Sequence, residues 1–265
     1  MAAGLVGLTP APDGPRWSLF YGHGPGTPWF DAGQVIEEAV FCYSLDYTPE
    51  LVRWEYEPYD ESSIWIVLAN LHKGIVVGAI RAIVGELHQL KLDADMRRWW
   101  EVDLVEGLMR HGIDPDVGVA ECATISVLPS WRRADSHWPL RALCAAFGQL
   151  VMDLGGSWCV QLQDVAGPRM LSRQLGLPFD VMAGFEPVDF LGPVIPTVSH
   201  VAEHFNSFAH HADEDFIALY AHRDQSVRAG TVLPVIDLTE PSVPKLPVPE
   251  EEIEAEVDVE VEGLI

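Results

Sequence analysis

The chain has 265 residues, 48% of them hydrophobic, which is enough to bury a sizeable core as one large domain or one domain with extensions. Forty acidic residues against 16 basic ones give a formal net charge of −24, which disfavours nucleic acid and anionic membrane surfaces as partners because both are polyanions. No run approaches the roughly 18 apolar residues of a membrane-spanning helix, so no membrane insertion is expected.

Residues 1–30 are rich in glycine and proline (GHGPGTP) and lack the basic start and continuous apolar stretch of a signal peptide. They are expected to form an irregular arm, docked through Trp17, Phe20, Tyr21, Trp29 and Phe30, on a protein that stays in the cytoplasm. No strand is expected before the GHGPG segment, so no phosphate-binding role is expected of it. IEEAVFCY, Ile36–Tyr43, has the spacing of an amphipathic helix. An acidic cluster at Glu55, Glu57, Asp60 and Glu61 then precedes two β-branched runs, Ser62–Asn70 and Gly74–Val84, whose turn at Leu71–Lys73 predicts a hairpin.

A more polar stretch holding Trp99 and Trp100 predicts helix up to the turn at Gly112–Pro115. Val117–Leu128 (VGVAECATISVL) predicts a third strand ended by Pro129. Pro139 opens the strongest helical signal, LRALCAAFGQLVMDLG, with proline in its first turn and glycine just past its end. Trp158–Gln163 predicts a fourth strand, Pro168–Gly176 a short helix, Glu186–Leu191 a fifth strand, and 199–235 a helical extension. From about 236 to 265 glutamate, valine and proline alternate, and a disordered acidic tail is expected, either solubilising or docking a basic partner. Cys42, Cys122, Cys144 and Cys159 lie far apart with no CxxC pair and are expected to be reduced. His200, His204, His210, His211 and His222 show no zinc spacing with a cysteine or acidic ligand, so no metal is expected.

One residue stands out against its strand. Arg81 sits within the apolar run GIVVGAIRAIV, and an arginine in a half-buried sheet cannot shed its charge, so burial requires an anionic, bidentate partner. Asp60 or Glu57 is the candidate; the other reading places Arg81 outward in water.

The stretch EYEPYDESSIWIVLANLHKGIVVGAIR resembles the acyl-homoserine-lactone synthase and N-acyl amino acid synthase branch of the GNAT-type N-acetyltransferase fold. Members of that branch carry an acidic pair three residues apart, a strand, a turn and a strand arginine, here Glu57 and Asp60, Lys73-Gly74 and Arg81. AECATISV and the segment from LCAAFGQLVMDLG to LSRQLGLPF are similar to the later strand glutamate, helix, strand and short helix. The resemblance implies an α/β fold of the acetyltransferase type, a mixed, mostly antiparallel sheet flanked by helices, over residues 31–198. Thr124 stands where the lactone synthases place an arginine three residues after the glutamate, and their first-helix arginine has no counterpart beside Ile36 and Glu37. These differences point away from lactone formation from S-adenosylmethionine and leave acyl transfer.

The implied reaction moves an acyl group from a thioester, on acyl-CoA or acyl carrier protein, to a small amine. It needs a neutral amine and stabilisation of the charge that develops on the thioester oxygen. Glu121, among Val119, Ala120, Cys122 and Ala123, is the candidate base; its alternative is a structural carboxylate paired with Arg81 or a backbone donor. Glu57, Asp60, Arg81 and Thr124 would shape the amine site, and backbone N–H groups of Ile125–Leu128, with Val127 among the cofactor-binding residues, would serve the thioester. Arg132 and Arg133 occupy the place of a pyrophosphate loop but read RRADSHWPL, without its glycines, which favours a carrier protein; a solvated loop is the alternative. An ordinary acetyl-CoA-dependent N-acetyltransferase and a catalytically silent binding module remain the alternative functions.

Overall fold

The computed structural model describes residues 16–133 and 137–203, and the chain in it begins with a strand: β1 (Trp17–His23) pairs antiparallel with the whole of β2 (Ser63–Asn70). Part of the stretch expected to be irregular is therefore a sheet edge. Burial of Trp17, Leu19 and Phe20 supplies the apolar area that holds it there. Helix α1 (Pro28–Leu45) is longer than its sequence pattern, because Phe30, Ile36 and Val40 continue one buried stripe. Helix α2 (Pro49–Tyr56) and a 3-10 segment (Glu57–Ser62) then carry the acidic cluster to the start of β2. The hairpin forms as expected, β2 against β3 (Ile75–Ile83).

Helices α3 (Lys91–Trp100) and α4 (Leu104–His111) lead into β4 (Gly118–Val127), which pairs antiparallel with β3. Helix α5 (Trp138–Asp153) crosses over to β5 (Gly156–Asp164), which runs parallel to β4, and α6 (Gly167–Leu175) follows. Two-residue strands β6 (Asp180–Val181) and β7 (Val188–Asp189) flank β8 (Pro193–His200). The sheet order is β1-β2-β3-β4-β5-β8-β6, with β7 also on β8, and among the described residues only the β4–β5 pairing is parallel.

The expected fifth strand within Glu186–Leu191 shrinks to β7, and the larger strand is β8. Pro193 and Pro196 argue against a strand in the sequence. The sheet accepts them because β6 and β7 each cover only two residues of β8's outer side. The helical extension expected from residue 199 thus starts with the end of this strand, and 201–203 are helical; the rest of it, from 204, and the acidic tail lie outside the described residues, as do four of the five histidines. Among the described residues no helix is long and apolar enough to cross a membrane.

Two helical layers sandwich the sheet. A methyl group on Gly33 of α1 would come within 2.3 Å of Trp65, whereas one on Gly78 of β3 would meet Leu143 of α5 at 3.0 Å. Trp65 pairs with Arg81, three residues from Gly78, so the two helices cover opposite faces. Gly33→Ala should therefore destabilise the protein by about 1–3 kcal/mol, since the fully buried indole has nowhere to move; urea unfolding measures it, and an unchanged midpoint would contradict this packing.

Candidate active site

Arg81 lies on the α1 face of β3 with 2% of its surface exposed. Its Nε and Nη2 donate to the two carboxylate oxygens of Glu37 at 3.2 and 2.8 Å, the bidentate geometry a guanidinium favours. Nη1 donates to Asp60 Oδ1 at 2.7 Å, to the Tyr56 carbonyl at 3.3 Å and to Ser63 Oγ at 3.4 Å. The guanidinium also lies over the rings of Trp65 and Tyr56, 4.6 and 5.1 Å from their centroids. Although burial works against its charge, Glu37 and Asp60 hold the Arg81 pKa above its ordinary range. Burial pushes the Glu37 carboxyl up, opposed by Arg81 and by the Thr124 hydroxyl, which donates to Glu37 Oε1 in a short hydrogen bond. Gln34 completes the set, donating to Asp60 Oδ2 at 3.0 Å.

Of the two carboxylates proposed for Arg81 from sequence, Asp60 is present. Glu57 is exposed, and the second carboxylate is Glu37. Glu37 is 44 residues away in the chain, and only the packing of α1 across β3 brings it there. The one sequence signal was a carboxylate on the apolar side of a helix.

Glu121 occupies the same face of β4. The register places Thr124 opposite Arg81 but Cys122 opposite Ala82, so Ala123 is the extra residue of a β-bulge. Without that insertion, residues three apart would point to opposite faces. With it, Thr124 and Glu121 sit opposite Arg81 and Ile83 on one side of the sheet. Glu121 is 2% exposed, and its Oε2 accepts the Leu92 N–H at 2.9 Å in the first turn of α3, where the N-cap residue Leu90 offers no side-chain acceptor. Of the two structural partners open in the sequence, it is the backbone donor, not Arg81, that Glu121 takes. Burial pushes its pKa up to about 7, against the pull of the Leu92 N–H and the Lys91 ammonium. Lys91 itself is bridged to Glu55 at 2.9 Å and Asp95 at 2.7 Å.

Directly beyond Glu121 the sheet opens. The last paired residues of β4 and β5 are Glu121 and Val160; β4 continues to Val127 and β5 to Asp164 with no pairing between them. The β5-facing edge of residues 122–127 therefore has no strand partner among the described residues. Leu128 N–H is bonded to the Val77 carbonyl, and the Val127 carbonyl accepts Arg132 Nε at 3.0 Å. Since backbone groups alternate along an antiparallel strand, the N–H groups of Val127 and Ile125 face the opening, while Leu128 leaves the expected donor set. Arg132 also donates to Ser44 at the end of α1 and lies over Tyr43, with burial lowering its pKa. It is an anchor of the loop after β4, and Arg133 is exposed.

No protein-family model matches the chain, and no curated protein matches it in sequence. Among solved structures it is similar to FeeM, an N-acyl amino acid synthase from uncultured soil microbes, at 15% identity over 76% of this chain and 100% of that one, with a TM-score of 0.50. This is the acetyltransferase-type fold. BjaI, a CoA-dependent acyl-homoserine lactone synthase solved with SAM and isopentyl-CoA, overlays with a TM-score of 0.49 at 13% identity, covering 76% of this chain and 97% of that one. A proposed N-acetyltransferase from Lactobacillus plantarum overlays at 0.47, 13% identical over 70% and 99% of the two chains. At such identities the likeness is one of fold.

The Arg81 cluster gives a thermodynamic test. Arg81→Met leaves Glu37 and Asp60 facing each other without their cation and should cost about 3–5 kcal/mol. Adding Glu37→Gln removes one stranded charge, so the double variant should lose clearly less than the sum of the single losses. Additive losses in urea unfolding would mean that the two side chains do not share a site.

Proposed function

We propose that this chain is an N-acyltransferase that moves an acyl group from a thioester to a small amine in the opening between β4 and β5. The observation that carries the reading is the separation of two parallel interior strands directly after a buried carboxylate that titrates near neutrality. A thioester laid into the opening would meet the Ile125 and Val127 N–H groups, which suit the negative charge that develops on its oxygen. Glu121, at the apex, would take the proton of the attacking amine; a pKa near the working pH balances availability as a base against driving force. Arg81, Asp60 and Thr124 would form a rigid wall of the amine side. With its donors committed to protein acceptors, Arg81 would act by fixing α1 and the 3-10 segment and not as a receptor for a substrate carboxylate. Glu57, exposed, could act only at the rim. CoA and a carrier protein both remain suitable thioester carriers, since Arg132 is engaged within the protein and Arg133 is free to meet either.

The resemblance to N-acyl amino acid and acyl-homoserine-lactone synthases supports acyl transfer over acetylation by an ordinary N-acetyltransferase, and turnover with short acyl donors alone would reverse that order. If Glu121 is the base, Glu121→Gln should lower the transfer rate by about 10²–10⁴-fold while thioester binding persists. The amide can still accept the Leu92 N–H, so the α3 contact is kept. Raising the pH should partly rescue the variant by supplying neutral amine from solution. Equal turnover by variant and wild type, measured as thiol release with an amine panel, would remove Glu121 from the mechanism.

A further inference from the structure

Two buried polar side chains lie on β5, apart from the Arg81 cluster and Glu121. Gln161 and Gln163 are 4% and 8% exposed, and Nε2 of both, together with Oε1 of Gln163, is buried without a hydrogen-bond partner among the described residues. Two residues apart on a strand, they share a face. They also begin one residue beyond Val160, on the stretch of β5 that borders the opening. The Gln163 amide rests on the first residue of α6, where a methyl group on Gly167 would come within 2.9 Å of Oε1; the absence of a side chain at 167 is what leaves it room.

Unpartnered buried amides carry a desolvation cost, so this face is complete only when something hydrogen-bonds to it. The chemistry required is specific. Two N–H₂ groups ask for an acceptor, and Gln163 Oε1 asks for a donor. An alkyl chain satisfies none of them. A carboxylate or phosphate satisfies the N–H₂ groups and repels the carbonyl. A neutral group that both accepts and donates, a secondary amide or a hydroxyl, satisfies all three, and exchange of O and N within either amide leaves that requirement unchanged.

We propose that Gln161 and Gln163 form a subsite for a neutral amide or hydroxyl group of the acyl-thioester donor, making them specificity-determining residues of the opening. The proposal rests on the acyl-transfer reading of that opening. Such a group has two sources, an amide in the arm that carries the thiol and a hydroxyl on the acyl chain.

Calorimetric titration of the full chain with free CoA, butyryl-CoA and 3-hydroxybutyryl-CoA separates them, comparing wild type with Gln161→Leu, Gln163→Met and the double variant. Each single change should weaken binding about tenfold, the scale of one or two lost hydrogen bonds, while the melting temperature holds or rises because an orphaned amide is replaced by an apolar group of similar size. Equal weakening for all three probes assigns the subsite to the carrier arm; weakening only for the hydroxylated probe assigns it to the acyl chain. Unchanged binding of every probe, or a lowered melting temperature with binding intact, overturns the subsite and leaves the acyl-transfer reading standing. Wild type that binds none of the three overturns the subsite as one for a CoA-borne donor and leaves transfer from a carrier protein standing.

Discussion

A guanidinium that cannot release its proton, placed in the middle of an apolar sheet, obliges the chain around it to supply anions. Arg81 is met by Glu37 from α1 and Asp60 from the 3-10 segment, with the Tyr56 carbonyl, Ser63 and two aromatic faces closing the remaining directions. Removing any one partner exposes the others to the cost of a lone buried charge, which is far larger than the net gain from the pair itself. The cluster therefore acts as a geometric constraint more than as a source of stability. It sets the position of α1 over the sheet, brings the acidic segment against the start of β2, and through the Thr124 hydroxyl connects both to β4.

The bulge at Ala123 turns that constraint into a candidate site. By adding one residue to β4 it keeps Thr124 in the Arg81 cluster while Glu121 stays on the same face, where it tethers the first turn of α3. Glu121 thus has a structural task whatever else it does, its Oε2 accepting the Leu92 N–H. Burial that raises its pKa to about 7 follows from the same placement. Just past Glu121, next to the bulge, the pairing of β4 with β5 ends, and the stretch of β5 that continues beyond it carries the two unsatisfied glutamines.

The hairpin, the third strand and the long helix after Pro139 were legible because β-branched runs, a lysine-glycine turn and an N-terminal proline are local signals. The partner of Arg81 was half legible: Asp60 lies 21 residues away across one hairpin, whereas Glu37 depends on a helix crossing. Strand β1 was hidden by flanking glycines and prolines, and β8 by Pro193 and Pro196, since composition of that kind normally means a loop. The bulge left no trace in AECATISV, because it is defined by pairing with β3 and not by residue type. Arg132 and Arg133 looked like an anion site as a sequence pair; in the fold they diverge, one folded back on Val127 and Ser44, the other turned to solvent.

The central claim is that the thioester lies between β4 and β5. Hydrogen–deuterium exchange of the full chain with and without a non-hydrolysable acyl-CoA analogue tests it directly, because the β5-facing N–H groups of residues 122–127 have no strand partner among the described residues to protect them. The account predicts that the analogue slows exchange in peptides covering 122–127 and 161–164 and leaves β1 and β2 unchanged. Protection confined to the surface of α1 and α2, with the β4–β5 peptides exchanging as before, would contradict it.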